Sequence, residues 1–496
     1  MIQLNTITTL KQFKERAQEN CLVPISKTVL ADAETPVSVF GKIRSHTKNP
    51  FLLESVEGGE KLARYSFIGY QQSATFTAYM NQWEISVEDE TWKPWFTTDK
   101  TQPSLTALKN LLKKISIKAE TGLPRLVAGA IGYIGYDAIR LVENLPDIPE
   151  DDLGLPDIQL GFYTGIIIFD NLNHTLTITL SPFIADRDKI ESYYKGAVEG
   201  IVTIESYLTK PNTLPVTVHT AHQADWQSNI SKNSYESWVR RSREYITAGD
   251  IFQVVLAQRF QTDFKEDPFN IYRILRIVNP SPYLYYLDKG ETQIIGSSPE
   301  MLVRLENGIV ETCPIAGTRP RGKNETEDTQ FEKNLLEDTK ERAEHIMLVD
   351  LGRNDIGRIS KYGTVEVSEL MKIERYSHVM HIVSNVRGQM QDEVDIVDAF
   401  FSCFPAGTVS GAPKIRAMEI IDELETVKRG IYAGAVGYFD FSGNMDWCIA
   451  IRTIIVNKEK AFIQAGAGLV HDSIPEKEYE ETCNKAAGMK LAVSYK

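Results

Sequence analysis

The chain has 496 residues, 42% hydrophobic and 24% charged, which excludes extensive disorder and allows one large core or two to three domains of about 150 residues. A formal charge of −13 without a basic stripe excludes a broad nucleic-acid surface, because phosphate binding needs clustered cations; an anionic small substrate stays open if basic groups gather locally. Apolar runs end before the roughly 18 residues that span a bilayer, and charges at Lys11, Lys14, Glu15 and Arg16 interrupt what an export signal would need, so no membrane association is expected. The five cysteines (Cys21, Cys313, Cys403, Cys448, Cys483) form no CxxC pair, and the expectation is reduced thiols in a cytoplasmic protein.

Up to about residue 205, β-like runs alternate with a few helical stretches such as SLTALKNLLKKISIKAE. The runs are FLLES at 51–55, ARYSFIGY at 63–70, GIIIFD at 165–170 and LTITL at 176–180. A polar, Pro- and Thr-containing stretch over 206–227 reads as a connection. From 228 helix and strand patterns alternate to the end, with Gly249 and Gly430 marking helix ends. AGAIGY at 128–133 is echoed by AGAVGY at 433–438, and AGAG recurs at 465–468. Either the echo is chance, or two β-rich halves share closely packed, glycine-containing strands. No copy fits G-x-G-x-x-G, so a dinucleotide site is not expected.

Two acidic devices follow. Helical spacing through Phe331, Leu335 and Leu336 puts Glu341 and Glu344 on one helical face, and PEKEYEETCNKAAGMK repeats the E-x-x-E pair at Glu478 and Glu481, with Lys485 one turn later. Each pair alone fits a solvated helix face. Together they offer the few carboxylate oxygens that Mg²⁺ takes from protein, leaving positions for water and a substrate carboxylate. Arg452 lies inside the apolar run CIAIRTIIV, and a buried arginine needs an anion.

KERAEHIMLVDLGRND, YSHVMHIVS, FPAGTVSGAPK, DWCIAIRT, QAGAGLVHDS and EKEYEET together resemble the chorismate-utilising enzymes, and among them the large components of anthranilate synthases, over about 228–490. FLLES and NPSPYLYYL resemble that family's regulatory region. The resemblance implies an α+β fold with β-sheets packed at the centre and helices outside. It divides the chain into a tryptophan-binding regulatory region at 1–205, a connection at 206–227 and a chorismate-binding catalytic domain at 228–496.

By position, the resemblance makes Glu344 and Glu481 the Mg²⁺ ligands, with Glu341 and Glu478 nearby. It places Gly317, Thr318, Tyr432, Arg452, the Gly466-Ala467-Gly468 turn and Lys485 around chorismate. Glu300 in SSPEML is the general acid and His381 the histidine of the aromatising loss of pyruvate. His378, three residues before it, offers metal-pair spacing, but imidazole suits softer metals. Gln253 stands where water-adding relatives carry a lysine base. Ala316 stands where the aminodeoxychorismate synthases commonly carry a lysine able to attack the ring; both leave the ring open to ammonia.

No cysteine sits in a G-x-C-x-G elbow, so ammonia is expected from a separate glutaminase subunit, which the resemblance places in an assembly of two large and two small subunits. The implied reaction is Mg²⁺-dependent conversion of chorismate and ammonia to anthranilate and pyruvate, the first step of tryptophan synthesis. Feedback by L-tryptophan would act at Ser55, Pro282, Tyr283 and Leu284. The alternatives are an aminodeoxychorismate synthase component I, disfavoured by Ala316 and FLLES, and a non-catalytic tryptophan-binding regulator, disfavoured by the intact set Glu300, His381, Arg452 and Glu481.

Overall fold

A computed structural model of the chain describes residues 4–55, 64–96, 99–118, 123–215, 224–376 and 379–495. His378 therefore lies outside the described residues. Successive strand side chains point to opposite faces, and here both faces are buried. Phe51, Tyr285, Leu287, Ile166 and Ile168 enter an interior built almost wholly from strands. Their neighbours Leu52, Leu284, Tyr286, Ile167 and Phe169 pack against helices on the outer side. That double burial explains continuous apolar runs such as GIIIFD, each fully buried side chain stabilising by about 1.5–3 kcal/mol. A second outer core places Tyr235, Val239, Ala417 and Met418 of helices over Ala130, Phe439, Met445 and Trp447 of strands. The result is the expected α+β architecture, antiparallel sheets at the centre and helices outside.

The two parts of the chain share their sheets. Strand Phe51–Glu54 pairs with Tyr283–Asp288, and Gly129–Ile134 pairs with Ala435–Asp440. The second pairing resolves the echo: AGAIGY and AGAVGY lie side by side, Gly132 opposite Gly437. A Cβ on Gly132 would stand 2.0 Å from the Gln159 carbonyl oxygen, and one on Gly437 2.2 Å from that of Asp446. Only glycine permits this backbone approach.

Local expectations met three corrections. The segment after Phe331 is two helices, Glu325–Glu337 and Thr339–Gly357, broken at Asp338, whose side chain caps the second by accepting from the Lys340 and Glu341 amides. Gly249 does end helix Lys232–Ala248 with φ of +86°. Gly430 ends none, because the preceding helix, Lys414–Leu424, has already stopped. Finally, helix Ile190–Leu208 runs past residue 205, and 216–223 lie outside the described residues.

Candidate active site

A cavity of about 350 Å³ opens where strands Gln253–Asp263 and Lys460–Leu469 meet helices Thr339–Gly357 and Pro475–Ser494. It is lined by Gln253, Glu300, Ala316, Glu344, Tyr432, Arg452, Gly466, Gly468, Glu478, Glu481 and Lys485. Residues more than 200 positions apart in the chain thus share one surface. The Gly466-Ala467-Gly468 stretch is strand, not turn, because it pairs with Leu256 and its neighbours throughout. Alternation then turns the Ala467 methyl into the core. A Cβ on Gly468 would come within 2.8 Å of Gln253 Nε2, so the bare backbone makes room for the glutamine.

Glu300 follows strand Thr292–Ser298 and is 8% exposed. Burial pushes its carboxyl up to about 8, against the Thr408 hydroxyl, which donates to Oε1 at 3.0 Å, and against Lys485. A carboxyl that keeps its proton at neutral pH suits a general acid. Ala316 and Gly317 lie in strand Ile315–Pro320; Gly317, with φ of +73°, sits at a register shift against the strand carrying His381. His381 Nδ1 lies 3.1 Å from the Gly317 carbonyl oxygen and 3.0 Å from Thr318 Oγ1. Donating Nδ1–H to that carbonyl leaves the Nε2 lone pair free of the proton. Burial is the main cause of the lowered His381 pKa, Arg452 adds to it, and the Gly317 carbonyl and Glu374 oppose it.

Arg452 holds φ of +50° and donates to Asn279 Oδ1 at 3.4 Å, and no carboxylate among the described residues pairs with it. Burial lowers its pKa, so the site carries an unneutralised guanidinium suited to a substrate carboxylate. Beside it, the Lys485 ammonium reaches the Gly466 carbonyl at 3.1 Å and Glu481 at 2.7 Å. Burial raises the Tyr432 hydroxyl to about 12.

The acidic quartet divides. Burial raises Glu344, Gln253 opposes the shift, and Glu341 and Glu481 add to it. Burial likewise raises Glu478, against a hydrogen bond from Ser473, with Glu481 adding. Glu341 instead turns to Arg319 at 3.0 Å and does not line the cavity. Among the described residues no three acidic, histidine or cysteine side chains converge into a ready cage. Mg²⁺ usually takes only one or two protein carboxylates and completes its shell with water and substrate oxygens, so mutually repelling Glu344 and Glu481 on a cavity wall fit that ion.

A second, narrower pocket of about 60 Å³ joins Glu54 and Ser55 to Pro282, Tyr283 and Leu284, as strand pairing Glu54↔Leu284 requires. The Tyr283 hydroxyl donates to Asp446 at 3.0 Å, and Arg304 and Arg125 each approach that carboxylate at 3.0 Å. Leu284 lines this pocket and also packs into the helix-side core.

Sequence reasoning passed over Thr408 and Asn279. Thr408 sits in the motif FPAGTVSGAPK, yet no spacing ties it to Glu300, 108 residues earlier. Asn279 opens NPSPYLYYL but reaches Arg452 only through the fold.

The chain matches the family of chorismate binding enzymes over residues 48–491, and it belongs to that family. Within it, the chain is 50% identical to anthranilate synthase component 1 of Acetivibrio thermocellus, covering 98% of both chains. It is 46% identical to that of Aquifex aeolicus, over 99% of this chain and 98% of the other. Among solved structures it resembles anthranilate synthase component I from Streptococcus pneumoniae, with a TM-score of 0.76 and 40% identity over 88% of this chain and 95% of that one. The menaquinone-specific isochorismate synthase of Escherichia coli shares the fold, with a TM-score of 0.70 at 19% identity over 98% of both chains. No helix among the described residues is long and apolar enough to cross a membrane.

Proposed function

We propose that the chain converts chorismate and ammonia to anthranilate and pyruvate, the ammonia being released from glutamine by a separate glutaminase subunit. The observation that carries this reading is one cavity joining a proton-bearing Glu300, an unpaired Arg452 and, at the ring-facing wall, Gln253 and Ala316 in place of basic side chains. Full-length similarity to anthranilate synthase components supports it.

Arg452 forks onto a substrate carboxylate, with Tyr432 and the Gly466 and Gly468 backbone completing the seat. Glu300 gives its proton to the departing ring hydroxyl, which leaves as water while ammonia adds to the ring, and the carboxylate then recovers a proton from the added nitrogen. In the second half, His381 Nε2 takes the ring proton, the ring–oxygen bond to the enolpyruvyl group breaks, and pyruvate leaves after protonation from Glu300. Gln253 offers no base able to activate water, so ammonia, already a nucleophile, is favoured. Glu344 and Glu481 would hold Mg²⁺, with Glu478 behind them; when bound, the ion would neutralise the ring carboxylate as the hydroxyl departs. Glu341, committed to Arg319, stands behind Glu344 as a neighbouring charge rather than as a ligand.

The Ser55 and Tyr283 pocket suits L-tryptophan as feedback inhibitor. Its narrowness calls for widening on binding, the differential affinity between states that feedback requires. An assembly of two large and two small subunits in the cytoplasm, at the entry to tryptophan synthesis, completes the reading. The test is purified chain with chorismate, Mg²⁺ and an ammonium salt, followed by anthranilate fluorescence. Product with ammonium and none with glutamine alone is expected; no product with ammonium would overturn the reading.

A further inference from the structure

Outside the groups just described, Arg429 is the most committed polar side chain around the cavity. It is 2% exposed, and its partner Glu425 is 5% exposed. Arg429 Nε donates to Glu425 Oε2 at 2.9 Å and Nη2 to Oε1 at 2.5 Å. A buried ion pair is weak evidence for stability, because desolvation offsets the attraction. The remaining hydrogen bonds of this pair are more telling, for two of the three end on residues that line the cavity. Arg429 Nη1 donates to the Val409 carbonyl and Nη2 to the Val255 carbonyl, both at 2.7 Å, while Glu425 Oε1 accepts the Ala257 amide at 2.9 Å. Val255 and Val409 line the cavity. The guanidinium also lies 5.7 Å from the Tyr432 ring centroid.

Val409 ends the single 3₁₀ turn Gly407–Val409, whose middle residue, Thr408, supplies the hydroxyl bonded to Glu300. Such a turn has poor internal hydrogen-bond geometry and does not hold itself. Its outside supports include the Val255 amide on the Ser410 carbonyl and the Arg429 Nη1 bond to the Val409 carbonyl. Both tie it to the same strand, Gln253–Asp263.

We propose that Arg429, held by Glu425, is a positioning residue for the acid step: it clamps the 407–409 turn to the Val255 wall so that the Thr408 hydroxyl meets the Glu300 carboxyl. It touches no reacting atom. This role rests on the reading of Glu300 as the general acid. The Thr408 hydrogen bond favours the ionised carboxylate, and Lys485 and Cys313 are the titratable groups that also act on or feel Glu300. Losing the clamp should therefore lower turnover and displace the proton equilibrium of Glu300 upward.

The experiment is a double-mutant cycle on kcat with ammonium as nitrogen source, using Thr408→Val, Arg429→Lys and the pair. A lysine keeps a positive charge beside Glu425 but cannot fork to two carbonyls as well. Each single variant should lose about tenfold in kcat, the range of a positioned hydrogen bond of about 1.4 kcal/mol, with KM for chorismate changed less than threefold. The double variant should be no slower than the slower single one, because both changes remove the same contact. The fall of kcat at alkaline pH should move to higher pH in Arg429→Lys as in Thr408→Val. Multiplying losses, or an unmoved alkaline fall in Arg429→Lys, overturns the role. If Arg429→Lys does not fold, the cycle is run on Arg429→Met with Glu425→Leu, which removes both buried charges together, and the same outcomes decide. Full turnover by Glu300→Gln would overturn the acid assignment and this role with it, whereas multiplying losses beside an inactive Glu300→Gln overturn the role alone.

Discussion

Replacing Glu300 with glutamine separates what the carboxyl does in catalysis from what its burial does to the fold. Burial lifts its pKa from 4.5 to about 8. Between these values the folded chain keeps a proton that the unfolded chain has released, so stability falls as pH rises through that window. The gap, 8 − 4.5, or about 3.5 pH units at about 1.4 kcal/mol each, amounts to about 5 kcal/mol above pH 8 and about 3 kcal/mol at pH 7. Glutamine has no proton to lose. The stability of Glu300→Gln relative to wild type should therefore grow by about 4 kcal/mol between pH 5 and pH 8. With an unfolding entropy of about 2.1 cal/mol/K per residue over 496 residues, this widens the Tm difference by about 4 °C. Turnover should fall on the order of 10²- to 10⁴-fold, the usual loss for a positioned general acid. Wild-type activity, needing the protonated carboxyl, should decline as pH rises past about 8, and the residual rate of the variant should lack that decline. Calorimetry at both pH values and a pH–rate profile check the reasoning. A Tm difference that does not change with pH, or full turnover by the variant, would refute it.

Glu481→Gln should abolish activity at ordinary Mg²⁺ concentrations while leaving the fold intact, and calorimetric titration should show weakened Mg²⁺ binding; normal turnover would remove Glu481 from the metal site. His381→Met should accumulate the amino-deoxy-isochorismate intermediate, detected by chromatography of the reaction mixture, because the first half-reaction does not use the imidazole; absence of any intermediate would place His381 earlier. Ser55→Phe should fill part of a 60 Å³ pocket and weaken inhibition by tryptophan about tenfold to a hundredfold, as expected for a lost hydrogen bond to a charged group, with catalysis retained. Inhibition at the wild-type tryptophan concentration would place the inhibitor elsewhere.

Local pattern alone carried much of this protein. Strand and helix periods in FLLES, GIIIFD and PEKEYEET specify elements that form as expected, because steric preference and alternating burial act over a few residues. The long ordered motifs likewise named the groups of the cavity, Glu300, Arg452, Glu344 and Glu481 among them, and the family to which the chain belongs. Only the tertiary structure decided their states. Glu300 keeps its proton because distant segments bury it, against the pull of the Thr408 hydroxyl, and Arg452 keeps its charge unneutralised because no carboxylate among the described residues folds next to it. Glu341 looked equivalent to Glu344 by spacing, yet Arg319, 22 residues away in sequence, draws it out of the cavity. The paired glycines of AGAIGY and AGAVGY were visible as an echo, but their meeting face to face depends on strands 305 residues apart finding one register. Desolvation and charge pairing are set by which distant atoms become neighbours, and chain closure rather than local sequence settles that.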